Sequence, residues 1–225
     1  MQLSNETLKV LKNFSAINAG IVFKKGNVLS TVSSSKTVLA QATLKEDFPQ
    51  EFGIFDLNNF LSVLSLSNVT PELEFDDKHV YIKSLGGRSN IKYRVTDKTM
   101  IVSPPDKPVV MPSKEVSFTL TADDYDWITR TANVLQSPNV AIEGENNKLK
   151  LSSFDLSNDS AHVNSVDLGE TDKEFRFAFK TENLKMLPGS YDVVISSKGI
   201  AHFKNQSDEI EYWIAVEKDG SNFKG

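Results

Sequence analysis

Apolar residues along this chain follow two different periods. Between residues 5 and 17 they recur at helical spacing, with Val10, Leu11, Phe14 and Ile17 on one face. Runs at 20–24, 28–32 and 37–44 then read as strands, the first two separated by a turn at Gly26-Asn27. A fourth run, 52–55, leads directly into 56–66, where Leu57, Phe60, Leu61 and Leu64 return to helical period. Alternating segments at 72–75, 79–83 and 90–95 close the half. The order then repeats. A strand at 116–120 and a helix at 123–135 come first, then strands at 139–143 and 149–153 around the turn Glu145-Asn146-Asn147. A strand at 162–166 follows, and 175–179 leads into a short helix at 180–187 stopped by Pro188-Gly189. The half ends in alternating strands at 191–196, 200–204 and 210–216.

Helix, strands, strand into helix, three strands, and the same again predict an α+β protein with two similar helix and antiparallel-sheet domains. The internal period is roughly 120 residues. Identity between the halves is low, so pattern alone carries the repeat. Two unrelated α+β domains, or one large β-rich domain, is the alternative. Between the halves Pro104, Pro105, Pro108 and Pro112 crowd one segment, a density that excludes a helix or a central strand. The expected division is a first domain over 1–105, an extended connector over 96–114 and a second domain over 115–225.

Composition narrows the function classes. The 225 residues carry 25 Lys+Arg against 30 Asp+Glu, a net charge of −5. That balance argues against a basic coat binding nucleic acid over its whole surface, but not against a basic patch on an acidic body. Cysteine is absent, so disulfides, thiolate metal sites and a Cys nucleophile are excluded. No apolar run approaches the roughly 20 residues of a membrane helix, and the N-terminus lacks signal-peptide features.

Catalytic constellations are not found. His79, His162 and His202 fall singly in strand patterns. Asp123, Asp124 and Asp126 open a helix after Thr121, where carboxylates serve as caps. Gly86-Gly87 lacks the Lys-Ser/Thr ending of a phosphate loop. The expectation is a non-enzyme with no catalytic residue, metal or cofactor.

The helix faces say more. Opposite the apolar stripe of the first helix stand Asn5, Lys9, Lys12, Asn13 and Ala16, with Glu6 at the edge. The polar side of the second shows Asn58, Ser62 and Ser65 and no carboxylate. In the third, Arg130 and Asn133 lie away from Tyr125, Ile128 and Ala132, although Asp126 stands beside Arg130. Lys180 and Lys185 flank the last. Each face alone is ordinary solvated helix; together, in an acidic chain, they suggest one surface turned toward an anion.

Five segments carry a resemblance: Leu11-Lys-Asn-Phe-Ser-Ala-Ile-Asn-Ala-Gly-Ile, Phe55-Asp-Leu-Asn-Asn-Phe-Leu-Ser-Val-Leu-Ser-Leu, Val109-Val-Met-Pro, Leu184-Lys-Met-Leu-Pro-Gly-Ser-Tyr and Tyr212-Trp-Ile-Ala-Val-Glu. In this order and over this length the chain resembles the DNA sliding clamps, most of all those of T4-like phages. The specificity lies in the collinear set, since no single motif is a fingerprint. The resemblance implies the DNA-clamp fold, in a homotrimer closed head-to-tail with helices lining the hole. It implies sequence-independent binding of duplex DNA, tethering of the replicative polymerase and of other DNA-bound partners, and an ATP-dependent clamp loader. It implies work in the cytoplasm of an infected bacterial host, with no membrane. The DNA-facing residues would be Lys9, Lys12, Asn13, Arg130, Lys180 and Lys185. Partner peptides would dock on Met100, Ile101, Val109, Val110 and Met111 near the connector. The subunit interface would join edge strands near 90–95 and 162–167 through Tyr93, Val95, Val163 and Val166. Two departures stand out: almost no opening strand precedes the first helix, and the tail from Lys218 offers no docking motif. A duplicated β-rich virion component with no DNA role is the competing reading.

Overall fold

Helix α1 (Asn5–Ile17) starts at Ser4, which is extended in backbone and whose hydroxyl oxygen accepts the Thr7 N–H at 3.2 Å. A second cap comes from far along the chain. The Glu46 carboxylate accepts the Ser4 N–H and the Thr7 hydroxyl. Burial pushes that carboxyl up, yet the hydrogen bonds from Thr7 and Ser4 outweigh it and hold it below its ordinary value. The structure, a computed structural model, describes residues 1–66 and 70–224, and the chain divides into the units Met1–Lys107 and Pro108–Gly225.

In the first unit α1 is followed by β1 (Ile21–Phe23), β2 (Gly26–Val32), β3 (Val38–Phe48), β4 (Phe52–Ile54) and α2 (Leu57–Leu64). Strands β5 (Glu72–Phe75), β6 (His79–Ser84) and β7 (Ser89–Arg94) complete it as an antiparallel meander. β1 pairs with β4 and β2 with β3, both antiparallel. The core is aromatic. Phe23 stacks on Phe52 at 4.6 Å, and Phe48 and Phe75 close around them. Leu11, Phe14, Leu57 and Phe60 bring both helices into burial. The missing opening strand survives as one rung: Met1 and Leu73 exchange hydrogen bonds of 2.7 Å in each direction.

The second unit opens with β8 (Val116–Leu120) and α3 (Ala122–Val134), the latter capped by Thr121. Strands β9 (Asn139–Glu145), β10 (Lys148–Phe154), β11 (Asn164–Glu170) and β12 (Phe175–Lys180) come next. They form one antiparallel sheet in the order β11-β10-β9-β12-β16, closed by the last strand, β16 (Glu217–Phe223). β13 (Tyr191–Ser196), β14 (Ile200–Asn205) and β15 (Ile210–Ala215) meander, with β8 paired to β13. The β9–β12 pairing repeats β1–β4, and the second meander repeats the first.

One strand was not expected and two expectations are corrected. The tail is a strand, which polar residues 217–223 do not announce; its partner among the described residues is β12. The strand expected at 162–166 begins at Asn164 and runs on to Glu170. The helix expected at 180–187 is a single tight turn, Thr181–Asn183. Its continuation is bound by tyrosines instead of by its own carbonyls. The Met186 N–H donates to the Tyr125 hydroxyl at 3.1 Å and the Leu187 N–H to the Tyr212 hydroxyl at 3.0 Å. Tyr191 donates to the Leu187 carbonyl, and Tyr125 to the Leu184 carbonyl at 2.9 Å. Backbone groups satisfied this way have no need of a helical ladder.

Burial pushes the Tyr125 hydroxyl up to about 12 and raises Tyr191 and Tyr212 as well. All three are held neutral in the fold. Their contribution to stability is therefore complete below about pH 10, where an unfolded tyrosine begins to ionise, and is lost as the pH rises through about 12. Tyrosinate absorbance should rise together with loss of far-ultraviolet dichroism in that window. Tyr212→Phe removes the acceptor of the buried Leu187 N–H and should lower unfolding free energy by about 1–3 kcal/mol in urea melts.

Candidate nucleic-acid interface

Packing α1 by one stripe leaves Lys9 and Lys12 exposed and Asn13 half-buried on the other. The only carboxylate of that helix, Glu6, is held by Lys45 at 2.9 Å. On α2, Asn58, Ser62 and Ser65 are exposed. The Ser62 hydroxyl donates back to the Asn58 carbonyl and the Ser65 hydroxyl to the Ser62 carbonyl, both at 2.8 Å. Between the helices lies a groove of 560 Å³ with Lys12, Asn58, Ser62 and Ser65 on its polar side and Leu8 and Leu61 among its apolar lining. Leu61, expected in the core, is half-exposed. No carboxylate lines this groove.

The second unit distributes its cations differently. Arg130 is exposed on α3 but ion-paired with Asp126, one helical turn away. Lys180 ends β12 and lines a groove of 540 Å³ with Asn133, Gln136, Asn139 and Glu182. Lys185 is exposed further along. The fold thus brings Lys180 to the C-terminal end of α3 and leaves Arg130 out of the groove. Gln136 and Asn139 were missed because their proximity to Lys180 comes from the Lys180–Asn139 register of β12 and β9, a contact between distant residues. Asn139 also sits in a strand-like run, so only its amide hinted at a surface role.

The charge of the chain is uneven. Met1–Lys107 holds 13 Lys+Arg and 11 Asp+Glu, a net of +2, while Pro108–Gly225 holds 12 and 19, a net of −7. The net negative charge lies wholly in the second unit.

The apolar residues expected to receive a peptide separate. Ile101 is 8% exposed, so it is a core residue of the first unit and not a docking surface. Thr96 bridges to Gly53 in β4, its N–H donating to the Gly53 carbonyl at 2.8 Å. A Cβ on Gly53 would lie 2.5 Å from the Thr96 oxygen and 2.9 Å from Ile101 Cδ1, so glycine permits both contacts. Met100, in a short turn at Lys98–Met100, is exposed, as is Val110; Val109 and Met111 are half-buried.

The two strands expected at the subunit interface are both sheet edges. Among the described residues β7 pairs only with β6, and β11 only with β10. Tyr93 turns its side chain inward. Its hydroxyl donates to Asn59 Oδ1 at 3.0 Å and its ring meets Phe60 edge-on at 5.1 Å. Burial raises its hydroxyl, with the Asp56 charge adding to the effect. Val95 is half-buried beside it, Val163 is exposed just before β11, and Val166 is half-buried on the strand. Among the described residues no cluster of His, Asp and Glu suited to a metal ion is present, and no helix is long and apolar enough to cross a membrane.

Two family models match the chain in order. The model described as DNA polymerase processivity factor covers residues 4–103, and that described as gp45 sliding clamp, C terminal, covers 116–218. The sliding clamp of Enterobacteria phage T4 is 32% identical over 99% of both chains. That of Vibrio phage KVP40 is 31% identical over 96% of this chain and 99% of the relative. Among solved structures, the proliferating cellular nuclear antigen of Entamoeba histolytica matches with a TM-score of 0.69 at 15% identity, over 94% of each chain. That of Thermococcus kodakaraensis matches at 0.68 and 16%, over 94% of this chain and 96% of the other. At those identities the structures speak for the fold, which is that of a DNA clamp.

Gly53→Ala should displace the Thr96–Ile101 segment, seen as faster amide exchange at Thr96 and a lower melting temperature. Ile101→Ala should cost about 2–4 kcal/mol in denaturant melts, as expected for emptying a core site.

Proposed function

The chain belongs to the sliding-clamp family of DNA polymerase processivity factors, and on that footing we propose how it carries out the task. Three copies close head-to-tail into a ring, the α1, α2 and α3 faces turned inward and duplex DNA passing through. The ring acts by topology, without chemistry of its own. It tethers the replicative polymerase because a closed loop cannot leave the strand it encircles. The observation that carries the reading is the collinear match of one family model to each unit, over nearly the whole chain. Nothing favours a virion component.

The inward faces suit sliding. Their cations are few and spaced among amides and hydroxyls, so phosphate contacts are weak, blind to sequence and easily exchanged. Lys9, Lys12, Asn13, Lys180 and Lys185 are assigned to the DNA. Arg130 contributes less, because the Asp126 carboxylate beside it offsets part of its attraction for phosphate, although the pair is exposed and weak. The free edges of β7 and β11 join neighbouring copies, with Val95, Val163 and Val166 flanking the seam and Tyr93 bracing α2 behind it. Partner peptides use the exposed apolar residues of segment 100–111, Met100 and Val110 foremost, with Val109 and Met111 beside them. The chain has no nucleotide-binding motif, so opening the ring falls to a separate ATP-driven loader. The setting is the cytoplasm of the infected bacterial host.

The full chain should sediment near three times 25.0 kDa, roughly 75 kDa. Primer extension on long templates, with the cognate polymerase and loader, should give longer products when the protein is added; unchanged product length overturns the reading. Lys9→Glu with Lys12→Glu should shorten DNA retention and lower the salt dependence of loading without dissociating the ring, each lysine removed reducing the logarithmic salt slope by about 1. Arg130→Ala should change that slope by less.

A further inference from the structure

Two helix stripes face each other in the first unit. On α1, Leu8 and Lys12 stand one turn apart. On α2 and its C-cap, Asn58, Leu61, Ser62 and Ser65 follow the spacing i, i+3, i+4, i+7. The groove of 560 Å³ lies between them, a volume within the range of ligand clefts. Packing does not use up its apolar lining: Leu8 and Leu61 are half-exposed, while Leu64, also in the lining, is buried.

The hydroxyls of the groove are committed as donors. Ser62 gives its proton to the Asn58 carbonyl, and Ser65 gives its own to the Ser62 carbonyl. Each oxygen then keeps only lone pairs for a ligand. The oxygens of a DNA backbone are acceptors as well, so a duplex backbone has no proton to give them. A peptide main chain does, through its N–H groups. A DNA backbone also carries no apolar side group to place between Leu8 and Leu61, whereas a peptide does.

One charge completes the set. Among the described residues lining the groove, Lys12 is the only charged one, and it is exposed. Glu6, the carboxylate of α1, is drawn to Lys45 on β3 instead. An apolar cleft with a single cation is complementary to a single carboxylate on an apolar body. A fatty acid has that carboxylate and body but no N–H for the serines, so the three features together favour a peptide.

We propose that the α1–α2 groove docks an acidic, apolar peptide segment of a partner protein. An apolar side chain enters between Leu8 and Leu61, main-chain N–H groups donate to the Ser62 and Ser65 oxygens, and a carboxylate meets Lys12. One consequence rests on the ring reading, in which Lys12 also faces the duplex. The segment and DNA then compete for Lys12, and a partner seated in the groove marks a clamp that holds no DNA.

The probe is an acetylated, amidated pentapeptide in which leucine and phenylalanine precede aspartate. It is titrated into the full chain, methyl-labelled at leucine, and read by NMR. The Leu8, Leu61 and Leu64 methyl signals should shift together and saturate with a dissociation constant of roughly 0.1–1 mM, the strength of a short linear contact. Lys12→Glu should weaken binding at least about fivefold, and a peptide with lysine in place of aspartate should bind that variant better than it binds wild type. Leu61→Ala should weaken both peptides about fivefold. Melting curves check that each variant is folded, and the reversed-charge peptide separates lost complementarity from local damage. On rings placed on circular duplex by the cognate loader, the aspartate peptide should bind at least about fivefold more weakly than on free rings. If none of these methyls shifts at ten times the expected concentration, or if dodecanoate shifts them while the peptide does not, the groove is not a peptide site and the clamp reading stands. Equal binding to free and loaded rings overturns the competition. Peptide binding without longer products in primer extension keeps the groove and removes the ring reading.

Discussion

Burial of Val10, Leu11, Phe14 and Ile17 along one stripe of α1 decides what that helix can show on its other side. Once those four are closed off, Lys9 and Lys12 have nowhere to go but outward. The same constraint acts on α2 through Leu57, Phe60 and Leu64, leaving Asn58, Ser62 and Ser65 exposed, and on α3 through Tyr125, Ile128 and Ala132. A packing requirement thus generates the polar helix faces that we assign to DNA. The caps belong to the same account: Glu46, reaching from β3, fixes where α1 begins and therefore which residues fall on which side.

A second constraint comes from the sheets. An open antiparallel sheet must end, and its last strand leaves backbone groups unmatched. In this chain β7 and β11 are two such edges, the first exposing Lys92 and Arg94 and the second Asp167 and Glu170. The net charge of −5 hides this. Divided between the units it becomes a slightly basic half and a strongly acidic one.

Much of the fold was legible because the signals are local. The bounds of α1 and of strands β5, β8 and β13 follow from periodicity, since amphipathic spacing is a property of neighbours in sequence. The failures share one cause. Residues 180–187 have helical spacing, but Tyr125, Tyr191 and Tyr212, distant in sequence, supply the hydrogen bonds a helix would have supplied itself. Residues 217–223 have no apolar alternation and become a strand because β12 offers an unpaired edge. Ile101 reads as a surface residue in a proline-rich segment until Gly53 makes room for it.

By itself the sequence determined the two-fold plan, the sides of the helices and the class of molecule, because hydrophobic period and collinear motifs need no third dimension. Tertiary structure alone decided the surroundings of each cation beyond its own helix. It alone showed that Lys12 shares a groove with α2, and Lys180 one with the end of α3. It also showed that β7, with Lys92 and Arg94, and β11, with Asp167 and Glu170, are sheet edges. Charge is written in the chain, but whether a charge is paired, buried or set at an open edge depends on residues far away in sequence, and only folding brings those together.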